Sequence, residues 1–278
     1  MKKIAFIFVP LVLLVFSSSR SEVSEVEKAA KIPRLAKQIE VFGIHVYATD
    51  NVANEKMLHA ANVLAKYLDN DEDGVPDNQL VVDVLVKNKS SLIMGKDEAE
   101  MNALDRSILP PRETQELWDE ETHPGGAKQG VFDGALEECL HQITLQGYAR
   151  AYPKVFGTKP GSELAKIMDE ARGGHFESVP NKYPDSAWYT YYKKTCDYEC
   201  QITEYIFWAL TSILGAQDFP GRLEQIQKEW RYNTREKVAK GDPKIFALLT
   251  DPQYKFPTVL PDGIYKAKKF VIEKFQAK

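Results

Sequence analysis

The chain has 278 residues, 36 Lys+Arg against 40 Asp+Glu, a formal charge of −4 at pH 7 and a pI near 5.8. A mildly acidic chain lacks the basic face that a phosphate backbone demands, so nucleic acid is excluded as the main partner. With 44% hydrophobic and 11% aromatic residues and no repeat or low-complexity tract, the composition excludes a disordered or fibrous protein and predicts one well-cored domain.

The chain starts MKKIAFIFVPLVLLVFSSSRSE: two lysines, an apolar run over 4–16, then small residues. This predicts a secretory signal peptide over 1–19, cleaved after Ser19 or Ser21, and an exported product, extracellular or, in a bacterium, periplasmic. The run falls short of the ~20 residues that a spanning helix needs, so no membrane partner is expected once it is removed. A flexible lead over 20–37 and a single globular domain over 38–278 are expected to follow.

VFGIHVYATD, 41–50, has the content of a strand. Met57, Ala61, Leu64 and Leu68 recur at helical spacing and predict a helix over 54–68. A second helix is expected over 79–86, and a short strand over 90–95.

Between the two helices lies DNDEDGVPDNQL. Asp69, Asp71 and Asp73 occupy its first, third and fifth places, Gly74 the sixth and Asp77 the ninth, which is the ligand spacing of a calcium loop within a helix-loop-helix unit over 54–86. The acids repel one another, and a cation would relieve them. The loop resembles the DxDxDG loops of EF-hand, dockerin and thrombospondin type 3 repeats. It departs from the EF-hand at the twelfth place, where Leu80 replaces the bidentate glutamate, so Asp83 or water would complete the shell. A structural Ca²⁺ is expected; the alternative is a solvated acidic turn.

Asp133 can cap a helix running to Tyr148. Its sequence, LEECLHQITLQGY, differs by one letter from a helix carrying H-E-x-x-H. At ~100° per residue, Glu137, His141, Thr144 and Tyr148 share a stripe beside the core stripe of Leu136, Leu140, Ile143 and Gly147. A helix over 162–171 follows, then an aromatic stretch, then an apolar helix over 201–215 in which Glu204 is the only charge. A carboxylate on a helix apolar all round needs a partner or a metal. Helices are expected over 222–240 and, amphipathic, over 264–275. The class is α+β with helix predominating.

The two helices resemble the zincin metallopeptidases, the gluzincin group in particular, in which a glutamate on a downstream helix completes the metal site. The resemblance implies a two-helix metal site beside a small sheet, with Zn²⁺ held by Glu137, His141 and Glu204 and Glu138 as general base. Glu137 stands where the family has a histidine. Two carboxylates and one imidazole lower the charge at the metal by one unit, which predicts weaker activation of water and suits manganese or calcium as well as zinc. The structural alternative is a surface Glu137–His141 pair, with Glu204 paired to Arg172 or a lysine.

Cys139, Cys196 and Cys200 are odd in number, so disulfide pairing leaves one thiol over, and the sequence leaves the pairing open. His175, after two glycines, is a second candidate ligand or a structural loop residue. Tyr183, Trp188, Tyr189, Tyr191 and Tyr192 could line a peptide or sugar groove or pack the core. The expected function is that of a secreted metal-dependent hydrolase, a divergent peptidase of weak or altered activity acting on peptide. The alternative is a non-catalytic secreted or matrix calcium-binding protein on the same fold.

Overall fold

The computed structural model describes residues 32–108 and 113–275, and over these the chain is α+β with helix predominating. The expected signal peptide lies outside the described residues. The described residues from Pro33 onward form one compact unit.

Strands β1 (Leu35–Val41) and β2 (Ile44–Thr49) make an antiparallel hairpin in which Val41 faces Ile44. Phe42 and Gly43 form its turn with φ of 49° and 81°, the left-handed pair that a two-residue hairpin turn requires. The strand expected over 41–50 is β2, with its first residues taken by the hairpin turn and the end of β1. Phe42 holds a position that turn chemistry gives to Asn, Asp or Gly. The hairpin also begins at Leu35, inside the expected lead.

From β2 the chain crosses through α1 (Asn54–Leu68), the acidic loop and α2 (Gln79–Lys87) into β3 (Ser91–Gly95), which lies parallel to β2. Met57, Ala61, Leu64 and Leu68 are all buried, as the periodicity predicts. A short helix, α3 (Glu98–Ala103), precedes β4 (Thr114–Trp118), parallel to β3.

Helix α4 (Gly134–His141) starts at Asp133, whose side chain accepts from Ala135 N–H. The α-helix expected to reach Tyr148 changes at residue 142 to a π-helix, Gln142–Tyr148. Each π turn holds an extra residue, so faces downstream rotate away from those upstream. Gly147 lies against α2, where a Cβ would stand 2.8 Å from Val81 Cγ1.

Helix α5 (Glu163–Ala171) is capped by Ser162, whose Oγ accepts from Ala165 N–H. Helix α6 (Tyr198–Leu214) is capped by Asp197 and closed by Gly215 at φ 90°. Its apolar sequence is explained by its place, since α4, α5 and the helices that follow surround it. The helix expected over 222–240 is two, α7 (Arg222–Ile226) and α8 (Arg235–Gly241), followed by α9 (Pro243–Leu249). The break falls where Trp230 is fully buried, its indole N–H held by Ser212 Oγ and Tyr232 O.

No helix forms over 264–275; the tail ends in β5 (Glu273–Lys274), antiparallel to β1, and the sheet order is β4-β3-β2-β1-β5. The tail's polar groups serve other partners: Lys266 N–H donates to Glu72 and Tyr265 O–H to Asp69, both in the acidic loop. Cys196 and Cys200 form a disulfide and Cys139 is a buried thiol. The disulfide is typical of an oxidising compartment. Among the described residues no helix is long and apolar enough to cross a membrane.

Candidate metal centre

Glu137 and Glu138 lie mid-way along α4 and His141 at its end, and ligand atoms of all three come within 4.8 Å of one another. Helix α6 brings the fourth expected residue, with Glu204 Oε2 at 3.9 Å from His141 Nε2. That Nε2 is buried and has no hydrogen-bond partner. The imidazole is fixed on both sides. Its edge packs on Phe207 at 5.4 Å, and Nδ1 lies 3.6 Å from Glu138 Oε2. The same Glu138 oxygen accepts from the side-chain amide of Gln115 on β4. Tyr191 O–H donates to Glu204 Oε1 at 3.1 Å.

The electrostatics show too many carboxylates for the cations present. Removal from water, together with the Glu204, Glu138 and Glu121 charges, pushes Glu137 up to about 8 against the pull of His141. Burial works against protonation of His141, yet its bond to Glu138 and the charges of Glu204, Glu138 and Glu137 outweigh it and hold the imidazole up at about 9. Burial also raises Glu229 to about 7, with Glu204 contributing. Such clustering of shifted acids makes the group a candidate functional site.

The donor set is of a kind that divalent cations accept. One imidazole nitrogen without a partner and two carboxylates, Glu137 and Glu204, are acceptable ligands, and the crowding of acids is what a cation would relieve.

Two residues of the expected stripe are elsewhere. Thr144 Oγ bonds back to Leu140 O at 2.8 Å. Tyr148 donates to Tyr254 O at 2.9 Å and stacks on Phe256 at 4.0 Å. The π-helix is the cause, because it turns both away from Glu137 and His141. Arg172 does not pair with Glu204; it is fully buried and bonds Asp169 Oδ1 at 2.5 Å and Gln201 Oε1 at 2.6 Å. His175 is exposed and faces Asp169 at 2.8 Å, which makes it a loop residue rather than a ligand at this centre. Cys139 is buried with its Sγ 3.6 Å from Ala60 O of α1.

The acidic loop closes on itself. Asp69, Asp71 and Asp73 bring ligand oxygens within 4.8 Å of one another. Asp69 is fully buried and accepts from Asp73 N–H at 3.2 Å and Gly74 N–H at 2.8 Å. Gly74 sits at φ 92°, which a β-carbon disfavours. Asp77 accepts from Asn70 N–H at 2.7 Å, and burial, with the Asp71, Asp69 and Asp73 charges, raises its pKa despite that bond. Asp83 does not join the group: it is exposed and bonds Gln79 of its own helix at 2.8 Å.

The aromatic stretch divides. Tyr183, Tyr191 and Tyr192 line a cleft of about 820 Å³. Trp188 and Tyr189 do not; Trp188 donates to Asp242 at 2.7 Å, and Tyr189 is fully buried with its O–H on Gln201 O at 2.7 Å. Sequence reasoning missed Gln115, Glu121, Tyr191 and Glu229 as members of the centre. Tyr191 alone carried a signal, as one of many aromatics. Compared with protein-family models, curated proteins and solved structures, the chain matches none.

Proposed function

We propose that the chain is an exported metal-dependent hydrolase of weak activity, a divergent peptidase that binds Zn²⁺ through Glu137, His141 and Glu204 and structural Ca²⁺ through Asp69, Asp71, Asp73 and Asp77. The observation that supports the first site is the buried, unpartnered Nε2 of His141 facing Glu204 at 3.9 Å. An unsatisfied buried nitrogen is costly, and a metal bond satisfies it.

The bound ion would supply Lewis-acid polarisation of a carbonyl and of water. The protein's own part follows from its contacts. Glu138, itself bonded by Gln115, faces His141 Nδ1 at 3.6 Å, the place where a ligating histidine takes its outer support. Tyr191 orients Glu204. In this reading Glu138 is also the group that accepts the proton from attacking water. Glu137 in place of histidine keeps the ligand set less positive and turnover low.

The test is metal content and turnover. His141→Ala and Glu204→Ala should each lose zinc, Glu138→Gln should keep zinc and lose hydrolysis of a peptide library, and Glu137→His should raise hydrolysis. Unchanged zinc in both alanine variants would remove the site.

One observation favours a second reading, a non-catalytic calcium-binding protein. Glu138 is already engaged by Gln115 and faces His141, and in this second reading it is a support with no catalytic duty. In that case Glu137→His gains zinc without turnover.

A further inference from the structure

None of Glu137, Glu138, His141 and Glu204 lines the cleft of about 820 Å³; it connects to the candidate centre through its wall residue Tyr191, whose hydroxyl reaches Glu204. The volume is within the roughly 300–1,000 Å³ of ordinary ligand sites. Its floor is rigid. Residues 188–190 and 229–231 are paired, with Thr190 N–H on Glu229 O at 2.8 Å, Arg231 N–H on Trp188 O at 3.2 Å and a bridge between Tyr189 and Trp230.

The chain as a whole is acidic, yet this cleft is lined by Lys182, Lys194, Lys228 and Arg231 against Asp185 and Glu229. Lys194 is spent on Val179 O at 3.0 Å, Pro180 O at 2.8 Å and Asn181 Oδ1 at 3.2 Å. Lys182 is paired with Asp185 at 3.3 Å. Lys228 and Arg231, both exposed, are the cations presented to an incoming chain. Tyr192 is 74% exposed and stacks on Tyr191 at 5.8 Å, so the wall beside them is aromatic.

Resting on the peptidase reading above, we infer that this cleft is the substrate-binding groove and that it selects extended peptides carrying Asp or Glu beside an apolar or aromatic residue. The carboxylate would meet Lys228 and Arg231, and the apolar neighbour would lie on Tyr191 and Tyr192. Charge at an open groove sets selectivity and salt dependence more than raw affinity.

The test is binding rather than turnover. Labelled peptides of equal length, acidic, neutral and basic, are titrated by fluorescence anisotropy against the whole chain with calcium in the buffer and a zinc-selective chelator present. The acidic peptide should bind best, weaken at high salt, and lose about tenfold in affinity in the Lys228→Glu/Arg231→Glu double variant, against a smaller loss in Lys228→Gln/Arg231→Gln. Thermal melts of both variants confirm that they fold. Equal affinity for acidic and basic peptides, unchanged binding in folded variants, or binding of a polyuronate in preference to every peptide would overturn the assignment. His141→Ala separates the two questions. If it loses zinc but keeps acidic-peptide binding, both stand; if the native protein holds no zinc yet still prefers acidic peptides, the groove stands and the catalytic reading falls.

Discussion

Glu121 illustrates how single carboxyls are strained around the centre. Burial first, then the Glu138 charge, push it up to about 7, although Trp118 N–H donates to it at 2.8 Å. Its folded value is raised, so the fold favours the protonated acid: that stabilisation is complete below about pH 4.5 and is lost as pH rises through about 7. Glu121→Gln keeps an acceptor for Trp118 and removes the charge. The variant should be more stable than the parent near pH 8, by roughly 1 kcal/mol after allowing for screening at a partly exposed group, and should show no gain near pH 4. Melting at the two pH values decides it; the same difference at both would mean the charge is not responsible. Cys139 is a second residue-scale case. Its thiol is buried against Ala60, so a maleimide should label it only on unfolding, and rapid labelling of the native protein would show that α1 and α4 separate readily.

Among the elements, the π-helix Gln142–Tyr148 matters most for the site, because it ends the face that carries Glu137 and His141 and starts one that packs on α2 and the tail. Gly147 makes that packing close. Gly147→Ala should cost about 1–3 kcal/mol through overpacking against Val81 and Leu85, and Val81→Ala in the same chain should recover part of it. A denaturant midpoint unaffected by Gly147→Ala would show that the contact is soft. The sequence made much of this legible where side-chain type and spacing agreed: Asp133 caps the helix expected of it, and Glu204 could be singled out because a lone acid on an apolar helix needs a partner. It failed where tertiary contacts overrode local pattern. Periodicity at 100° per residue cannot anticipate a π turn. Nor could it see that the amphipathic tail spends its donors on the acidic loop, or that Phe42 would accept a turn conformation usually left to smaller residues.

Across the whole molecule, the acidic loop ties the end of α1 to the last part of the chain. Asn70 donates to Val259 O at 2.8 Å and accepts from Thr258 N–H at 2.9 Å and Val259 N–H at 2.8 Å. Tyr265 holds Asp69, and Glu72 pairs with Lys66 at 2.7 Å and Lys266 at 3.4 Å. If calcium occupies the loop, its removal should loosen the tail as well as lower the melting point. A free-ion concentration about 100 times the dissociation constant stabilises by about 2.7 kcal/mol. Chelation and Asp71→Ala should produce similar shifts, and chelation should add nothing to Asp71→Ala; identical melts with calcium and with chelator would leave the loop a purely protein-made turn.

The pairing of β1 with β5 brings Gln38 against Glu273. During synthesis the hairpin leaves the ribosome long before its outer neighbour exists, so one strand edge waits uncovered for most of translation. An uncovered edge invites pairing with other chains, and contacts this distant in sequence form late. The nascent chain should therefore depend on chaperone cover of this edge until Glu273 and Lys274 have emerged. Chains truncated before Glu273 should be digested by protease at β1, while the chain carrying β5 should be protected there. Early protection would mean that the hairpin is secured by α1 alone.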